Sequence, residues 1–430
     1  LGSAAVGAPP ESAITETIER AGGNRRLPAW LALIKEPPMR SNSHVAVGSP
    51  TVRVAAILAA TLLLALSLAA VGAGVQRLLA ADGPIIVAAD GSGDFTTIQE
   101  AVDAAVDGDE ILVRPGTYAE QVRIEEKSIT VHGDGPVEDV VVELDEGVLF
   151  TVSNSDAEIA ELTLRGGLDT QGMNLEGGAP TVRGVVFDGT GVPYESNQSG
   201  AGSSLEILGD AHVHESSFVG GGEILVGSLA DAVFENNELT DGPHIYLQAP
   251  GDDAAVRGNT ISGTFDRAIG LFRESTMTIE GNTIVDAGGD GITVGWNSAA
   301  GHDPLIKDND ISGTLVGIKV FPGGSPVVQG NRLHGNGTAV LCQADSVTFA
   351  DNQLAANDTG MSIQGTPTLD GNSITDGALG ILAYGAETRP ILTGNTVCDN
   401  ETNVAVSESA NTPPLEYDVS TEICEDVATD

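Results

Sequence analysis

One motif recurs through the C-terminal half of the 430-residue chain: an apolar residue, two further residues, an asparagine, one more residue and a second apolar residue. Successive asparagines are 20 to 27 residues apart. They are Asn237, Asn259, Asn282, Asn309, Asn331, Asn352, Asn372 and Asn395. A unit of about 22 residues with short apolar segments and glycine-rich turns cannot bury its apolar side alone, so copies must stack. The repeat therefore predicts an elongated solenoid.

Each repeat contains three apolar segments, which predicts three sides. In one repeat these are Ile284 after the asparagine, Ile292–Val294 about nine residues later, and Leu305 before the next asparagine. Residues alternate between apolar and polar within the segments, as they do in β-strands. The asparagines fall at one turn, and we expect their side chains to form a structural ladder of hydrogen bonds along the axis.

The start of the array carries a helix signal. Thr97 and Glu100 have the spacing of a capping box, and Ile98, Val102 and Ala105 fall on one helical face. We expect a short helix that covers the open end of the strand stack, where unpaired edges invite association. The predicted fold class is thus all-β, a single-stranded, three-sided right-handed parallel β-helix over residues 85–425 with an N-terminal capping helix.

Charge is distributed unevenly along the chain. The formal net charge is -42, and residues 81–430 contain 57 Asp and Glu against 12 Lys and Arg. Such a field repels nucleic acid and anionic lipid and keeps a long solenoid soluble, so we expect no nucleic-acid partner and a monomeric β-helix. The acidic excess is interpreted as a solvated surface, with binding of cations such as calcium as the alternative.

A long apolar segment precedes the array. Residues 54–76 contain no charged side chain, which is enough to span a bilayer as a transmembrane helix over 53–77. Basic residues dominate before it and acidic residues after it, so residues 1–52 are expected in the cytoplasm as a partly disordered juxtamembrane segment, with the array outside the cell membrane. The alternative starts at Met39 and makes the apolar segment a signal-peptide core removed near Ala80, which yields a secreted protein.

Three cysteines are too few for a disulfide-built scaffold or a zinc module. Cys398 and Cys424 flank the last repeat and the tail, and the expected compartment is oxidising, so we predict a disulfide between them. Cys342 lies in a predicted strand and is interpreted as a buried apolar residue.

Residues Val87 to Gly135 closely resemble the N-terminal part of pectin methylesterases, including Gly116-Thr117-Tyr118-Ala119-Glu120 at the family's Gly-x-Tyr-x-Glu position. In that family this part is capping and first-coil architecture. The family's catalytic motifs, Gln-Asp-Thr, Asp-Phe-[Ile/Val]-Phe-Gly and Leu-Gly-Arg-Pro-Trp, have no counterpart in the chain. The resemblance therefore implies an esterase-like cap without esterase chemistry.

The array from about Leu162 to Val397 resembles the right-handed β-helix repeats of carbohydrate-binding and sugar-hydrolase modules, and of periplasmic copper-site maturation proteins of the NosD kind. These resemblances specify the fold more than the function, because sites are grafted onto folds. They imply that a polysaccharide or a cell-surface glycan is the partner to consider first.

Aromatic residues collect on the side of the coil that carries Ile292. Counting from the inward residues predicts outward rings for a carbohydrate-binding platform, with Arg273 nearby; the rings are Phe272, Trp296, Phe321 and Tyr384. Trp296 lies in an insertion, where solenoids often have their working face. Sugar rings stack on such rings, so we expect polysaccharide binding, and the sequence proves no catalysis.

Two alternatives remain open. Asp290 and Asp303 with Lys319 are weak candidates for a lyase, hydrolase or epimerase centre, or for calcium ligands. His212 and His214 stand two apart on one strand face, a spacing that can share copper, although two surface histidines are the simpler interpretation and no cofactor is required.

Overall fold

The computed structural model describes residues 83–167, 169–191, 203–227, 229–273, 275–295, 301, 303–407 and 414–426. The predicted juxtamembrane segment 1–52 and transmembrane helix 53–77 lie outside this part of the chain. Across the described residues, no helix has the length and apolar character needed to cross a membrane.

Three parallel sheets run the length of the described part, and the chain visits them in the order first, third, second in every turn. The coil is right-handed, as predicted.

The first sheet has 14 strands in the described residues: β1 (Ile85–Val87), β2 (Glu110–Val113), β5 (Thr130–Gly133), β8 (Glu158–Ala160), β11 (Thr181–Arg183), β14 (His212–His214), β17 (Val233–Glu235), β20 (Ala255–Arg257), β23 (Thr278–Glu280), β26 (Leu305–Lys307), β29 (Val327–Gln329), β32 (Thr348–Ala350), β35 (Thr368–Asp370) and β38 (Ile391–Thr393).

The second sheet has 13 strands there: β4 (Val122–Glu125), β7 (Gly147–Ser153), β10 (Thr170–Glu176), β13 (Leu205–Ile207), β16 (Ile224–Val226), β19 (Ile245–Leu247), β22 (Arg267–Leu271), β25 (Asp290–Val294), β28 (Val316–Val320), β31 (Thr338–Cys342), β34 (Thr359–Ile363), β37 (Leu379–Ala383) and β40 (Thr402–Val406).

The third sheet has 14 strands within the same ranges: β3 (Gly116–Tyr118), β6 (Val140–Glu143), β9 (Thr163–Arg165), β12 (Val186–Asp188), β15 (Ser217–Val219), β18 (Glu238–Thr240), β21 (Thr260–Ser262), β24 (Thr283–Val285), β27 (Asp310–Ser312), β30 (Arg332–His334), β33 (Gln353–Ala355), β36 (Ser373–Thr375), β39 (Thr396–Cys398) and β41 (Glu422–Ile423).

The core lies inside the coil and consists of aliphatic columns. Ile269, Ile292, Ile318 and Val340 face one another on four successive turns of the second sheet, and all four are fully buried. Because the register keeps like positions aligned from turn to turn, each inward side chain stacks on its equivalent about 4.8 Å away.

The N-terminal cap agrees with the prediction. Helix α1 spans Ile98–Ala104, and the side chain of its N-cap residue Thr97 accepts a hydrogen bond from the Glu100 backbone N–H. The Glu120 carboxylate also accepts bonds from the backbone N–H groups of Ile98 and Gln99, at 2.8 and 2.9 Å. Glu120 of the esterase-like motif thus stabilises the first turn of the helix, where negative charge is favoured. A 3-10 helix at Val137–Asp139 completes the helical elements of the described chain.

The asparagine ladder runs along the turn between the first and third sheets. Asn309 is representative: its backbone N–H and its side-chain Nδ2 both donate to Oδ1 of Asn331 on the next turn, at 3.0 and 2.9 Å. Its Nδ2 also donates to the Ile279 carbonyl on the previous turn, at 3.0 Å. The residue before each ladder asparagine has a positive φ, such as 56° at Asp308 and 67° at Gly330, which explains the alternation of Gly, Asp and Asn there.

A second ladder, which the sequence analysis missed, lies five residues further on, at the turn between the third and second sheets. Asn336 donates from its backbone N–H and its Nδ2 to Oδ1 of Asn357, both at 3.0 Å. Thr314 precedes them and donates to Asn336 Oδ1. Asn400 continues the column at the C-terminal end, where it accepts from the Gly377 N–H.

The C-terminal end is closed by a covalent bond. Cys398 and Cys424 form a disulfide with their Cα atoms 4.9 Å apart, and Cys342 is a free, buried thiol. Closing a loop of 26 residues is worth about 3 kcal/mol in the chain-entropy view, and it holds β41 against β39.

Replacing one ladder residue tests how much the ladder stabilises the fold. Asn331→Ala removes the acceptor of the Asn309 N–H and the donor to the Ile306 carbonyl, both buried, and we expect a loss of about 2–4 kcal/mol in the free energy of unfolding measured by denaturant titration. Asn236→Gly is the matched control. It changes an exposed asparagine at a positive-φ position, and we expect a change within about 0.5 kcal/mol. Equal effects of the two changes would contradict a stabilising ladder.

Candidate functional site

The outer face of the second sheet presents one side chain per turn along a single column. In each strand the residue between two inward aliphatic residues points outward, and the parallel register aligns these residues from turn to turn. The column reads Glu206, Leu225, Tyr246, Gly270, Thr293 and Lys319. We call this surface the outer column; with about 4.8 Å per turn it extends roughly 24 Å.

An aromatic stack occupies the middle of the outer column. The rings of Tyr246 and Phe272 are parallel with centroids 4.0 Å apart, and the Arg267 guanidinium lies 5.2 Å from the Phe272 centroid. A Cβ atom at Gly270 would lie 2.8 Å from the Phe272 ring, so the glycine provides the space into which the ring folds back. Phe272 is outward as predicted but only 6% exposed, which differs from the expected open platform.

Lys319 and Asp290 form an ion pair on neighbouring turns at the C-terminal end of the column. The Lys319 Nζ lies 3.0 Å from Asp290 Oδ2, and the buried Thr293 hydroxyl donates to the same oxygen at 3.2 Å. Lys319 also lies 5.1 Å from the ring centroid of Phe321, which is partly exposed. Asp290 is therefore a neutralised, hydrogen-bonded anchor that orients a lysine and a ring at the surface.

Glu223 and His244 lie at the N-terminal ends of β16 and β19, beside the outer column. The His244 Nε2 is 3.7 Å from a Glu223 oxygen, and the histidine side chain is 9% exposed against 37% for the glutamate. Burial raises the pKa of the Glu223 carboxyl, and the nearby Glu206 adds to that effect. Burial lowers the pKa of His244 to about 4, with Arg267 lowering it further and Asp266 opposing. The imidazole is therefore neutral at pH 7.

The remaining predicted residues are more dispersed. Trp296 lies outside the described residues. Arg273 is exposed next to Phe272, whereas Tyr384 is partly exposed three turns beyond Phe321. Asp303 is exposed, and its backbone N–H donates to the Ser275 carbonyl. Asp290 is the first residue of β25, whereas Asp303 lies beyond the C-terminal end of that strand. The strand alone spans about 13 Å, which does not suit a carboxylate pair.

His212 and His214 stack on the outer face of the first sheet with ring centroids 4.5 Å apart. The Nε2 of His212 is 2.8 Å from Glu235 Oε1, and the Nδ1 of His214 is 3.7 Å from Glu215. In the described residues the one group of three close ligand atoms is formed by Cys398, Glu422 and Cys424, whose sulfurs are in the disulfide.

Sequence reasoning missed Glu223, His244 and Tyr246 as site residues. Each lies in a short segment with Ile at the first inward position, Glu223 before Ile224 and His244 before Ile245. The turn of Glu223 has Ser216 where the turn of His244 has the ladder residue Asn237, so the motif did not mark the alignment of Glu223 with His244. The exposed Phe265, 48% accessible at the turn that enters β22, was also missed.

A family model described as the right handed beta helix region matches residues 146–302 and 295–397, more than half of the chain. The chain therefore belongs to the right-handed β-helix family. A pectinesterase model matches residues 84–157. Over 67 residues the chain is 42% identical to the probable pectinesterase/pectinesterase inhibitor 17 of Arabidopsis thaliana, a match that covers 14% of this chain and 13% of that protein. The chain thus spans only a small part of this curated relative.

Solved structures with the same fold include the alginate lyase AlyF-OU02, with a TM-score of 0.54 and 15% identity over 76% of this chain and 87% of that one. A PL6 alginate lyase in complex with a trisaccharide gives a TM-score of 0.53 at 15% identity, covering 78% and 90%. The catalytic unit of the GH87 α-1,3-glucanase of Streptomyces thermodiastaticus gives 0.51 at 16%, covering 82% and 71%. At these identities the likeness shows the fold.

The buried His244 predicts a pH dependence of stability. Its folded pKa of about 4 is depressed below the ordinary 6.5, so the unfolded chain binds a proton first as the pH falls. Its contribution of about 3 kcal/mol is therefore present above pH 6.5 and lost between pH 6.5 and 4. The neighbouring Glu223 works in the opposite sense, because its folded pKa is raised.

The difference between the native chain and His244→Gln isolates the histidine, since both keep Glu223, Asp266 and Arg267. We expect the free energy of unfolding of the native chain to fall more steeply than that of the variant over this interval in denaturant titrations. Parallel pH profiles of the two proteins would show that His244 titrates normally.

Proposed function

We propose that this protein binds polysaccharide along the outer column of the second sheet, between Glu223 and Phe321. The observation that carries the proposal is that two partly exposed rings, Tyr246 and Phe321, lie on one face of the coil together with polar groups held by buried partners. Aromatic faces and a few oriented polar groups are the elements of a sugar site. The aligned turns suit a chain of repeating sugar units.

Electrostatics favours neutral polysaccharides. The formal charge of -42 repels polyanions over long distances, and most Lys and Arg residues of the described turns lie within 4 Å of a carboxylate. An acidic polysaccharide would require a bridging divalent cation, and calcium is the candidate. The solved alginate lyases and the α-1,3-glucanase named above act on polysaccharides of these two kinds, which makes both reasonable probes.

We further propose that residues 53–77 anchor the protein in the cell membrane, with residues 1–52 in the cytoplasm and a monomeric β-helix outside. The charge-free apolar segment 54–76 and the excess of positive charge before it support this topology. The disulfide between Cys398 and Cys424 supports an oxidising compartment.

Retention on immobilised polysaccharide tests the binding surface. The full chain in detergent is passed over immobilised α-1,3-glucan and over immobilised alginate with and without calcium. Phe321→Ala should weaken retention on the preferred polymer about tenfold, because one stacking contact between an exposed aromatic ring and a sugar unit is worth roughly 1–1.5 kcal/mol. Trp296→Ala, in the insertion outside the described residues, should have an effect of similar size.

The matched control is Tyr417→Ala, an exposed ring near the C-terminal end and away from the outer column. It should leave retention unchanged. Retention that is equal in the native chain and in both variants, Phe321→Ala and Trp296→Ala, would contradict binding at this face.

A further inference from the structure

The N-terminal part of the outer column contains an acid–base arrangement that binding alone does not require. Glu206 is the outward residue of β13, and Glu223 precedes β16 on the next turn. In the register Leu225 faces Glu206, so Glu223 and Glu206 are diagonal neighbours on the same face. Two residue steps along the strand and one strand spacing across place their Cα atoms about 8 Å apart.

The two carboxyl groups have different surroundings. Glu223 is flanked by the buried His244, and its carboxyl is partly withdrawn from water. Glu206 points out of the strand centre, where its Oε2 accepts a hydrogen bond from Gln171 Nε2 at 3.3 Å. Two carboxyl groups in unlike surroundings are the arrangement that separates a general acid from a general base.

His244 preserves this difference. A protonated imidazole 3.7 Å away would favour the ionised form of Glu223, but burial lowers the pKa of His244 to about 4 and keeps the ring uncharged at higher pH. The uncharged imidazole therefore does not oppose the upward shift that burial produces in the pKa of Glu223. His244 thus acts as a positioning residue that does not contact the sugar.

A platform for a sugar ring adjoins the pair. Tyr246 follows Glu206 by two turns in the outer column, with Leu225 between them, and its ring is braced from behind by Phe272. A chain lying along the axis on Tyr246 would place its next unit over Leu225, beside both carboxyl groups. This juxtaposition of a stacking ring, an acid and a base is built by three consecutive turns.

We infer that Glu223 and Glu206 form a hydrolytic centre for a neutral polysaccharide bound along the outer column, with Glu223 as general acid and Glu206 as general base. Glu223 donates its proton to the glycosidic oxygen as the bond from that oxygen to the anomeric carbon breaks. Glu206 accepts a proton from the water whose oxygen forms the new bond to that carbon. One water is consumed per bond cleaved, and two shorter chains result. The negative field of the protein stabilises the positive charge that develops on the sugar.

This inference rests on the proposed binding face, and the experiment separates the two. The full chain in detergent is incubated with α-1,3-glucan, and new reducing ends are counted while retention on the same immobilised polymer is measured. Glu223→Gln and Glu206→Gln should each lower the rate of reducing-end formation at least 100-fold, with retention changed less than threefold. Glu238→Gln, an exposed carboxyl on the third sheet, should match the native chain.

A second variant tests His244. Its replacement by Lys places a cation next to Glu223, which should move the alkaline limb of the rate to lower pH, whereas His244→Gln should leave that limb in place. Circular dichroism establishes that each variant is folded. Retention without new reducing ends, or full activity in Glu223→Gln, would overturn the hydrolytic centre and leave the binding face standing. A native chain that shows neither retention nor activity would refute the binding face and the hydrolytic centre together. Unsaturated uronate products from alginate would show that the face catalyses elimination instead of hydrolysis.

Discussion

From Asn237 onward, buried asparagine side chains fix how far each turn of this protein is displaced from the next. The side-chain oxygen of Asn331 accepts hydrogen bonds from both the backbone N–H and the side-chain amide of Asn309. The same pattern repeats on the next turn with nearly constant distances. Because a one-residue slip would reverse the inward and outward faces of every strand, this register determines the core and the surface together. The outer column follows the same register from turn to turn, with Ser216 and then the asparagines from Asn237 onward at the ladder position.

The same alignment explains how an acidic solenoid can hold polar groups out of water. Outward side chains on neighbouring turns are close enough to pair across the turns, as Lys319 does with Asp290 and Arg183 with Glu158. Pairs of this kind contribute little individually when exposed, but they define local surfaces. At β16 and β19 the neighbour of a carboxyl is a buried neutral histidine, so burial raises the pKa of the Glu223 carboxyl without a compensating ion pair.

Much of the fold could be predicted because the Asn-x-apolar motif marks one turn in every repeat, and the helix cap and the Cys398–Cys424 bond follow from local signals. The second ladder was missed although Asn336, Asn357 and Asn400 each follow a first-ladder asparagine by five residues. Its column is interrupted in the sequence because equivalent positions hold Thr314 and Gly377. The site was harder to predict. Burial of Phe272 depends on the missing side chain of Gly270. The contact of Glu223 with His244 depends on a register that the Glu223 turn does not mark, since Ser216 takes the place of the ladder asparagine there.

A co-crystal structure of the full chain with an oligosaccharide of the preferred polymer tests the central claim most directly. The account predicts sugar density along the outer column, with one ring on Tyr246, a unit beside Glu206 and Glu223, and contacts that reach toward Lys319 and Phe321. Sugar bound instead on the first or third sheet, or in the acidic pocket lined by Asp358, Asp376 and Glu401, would contradict it.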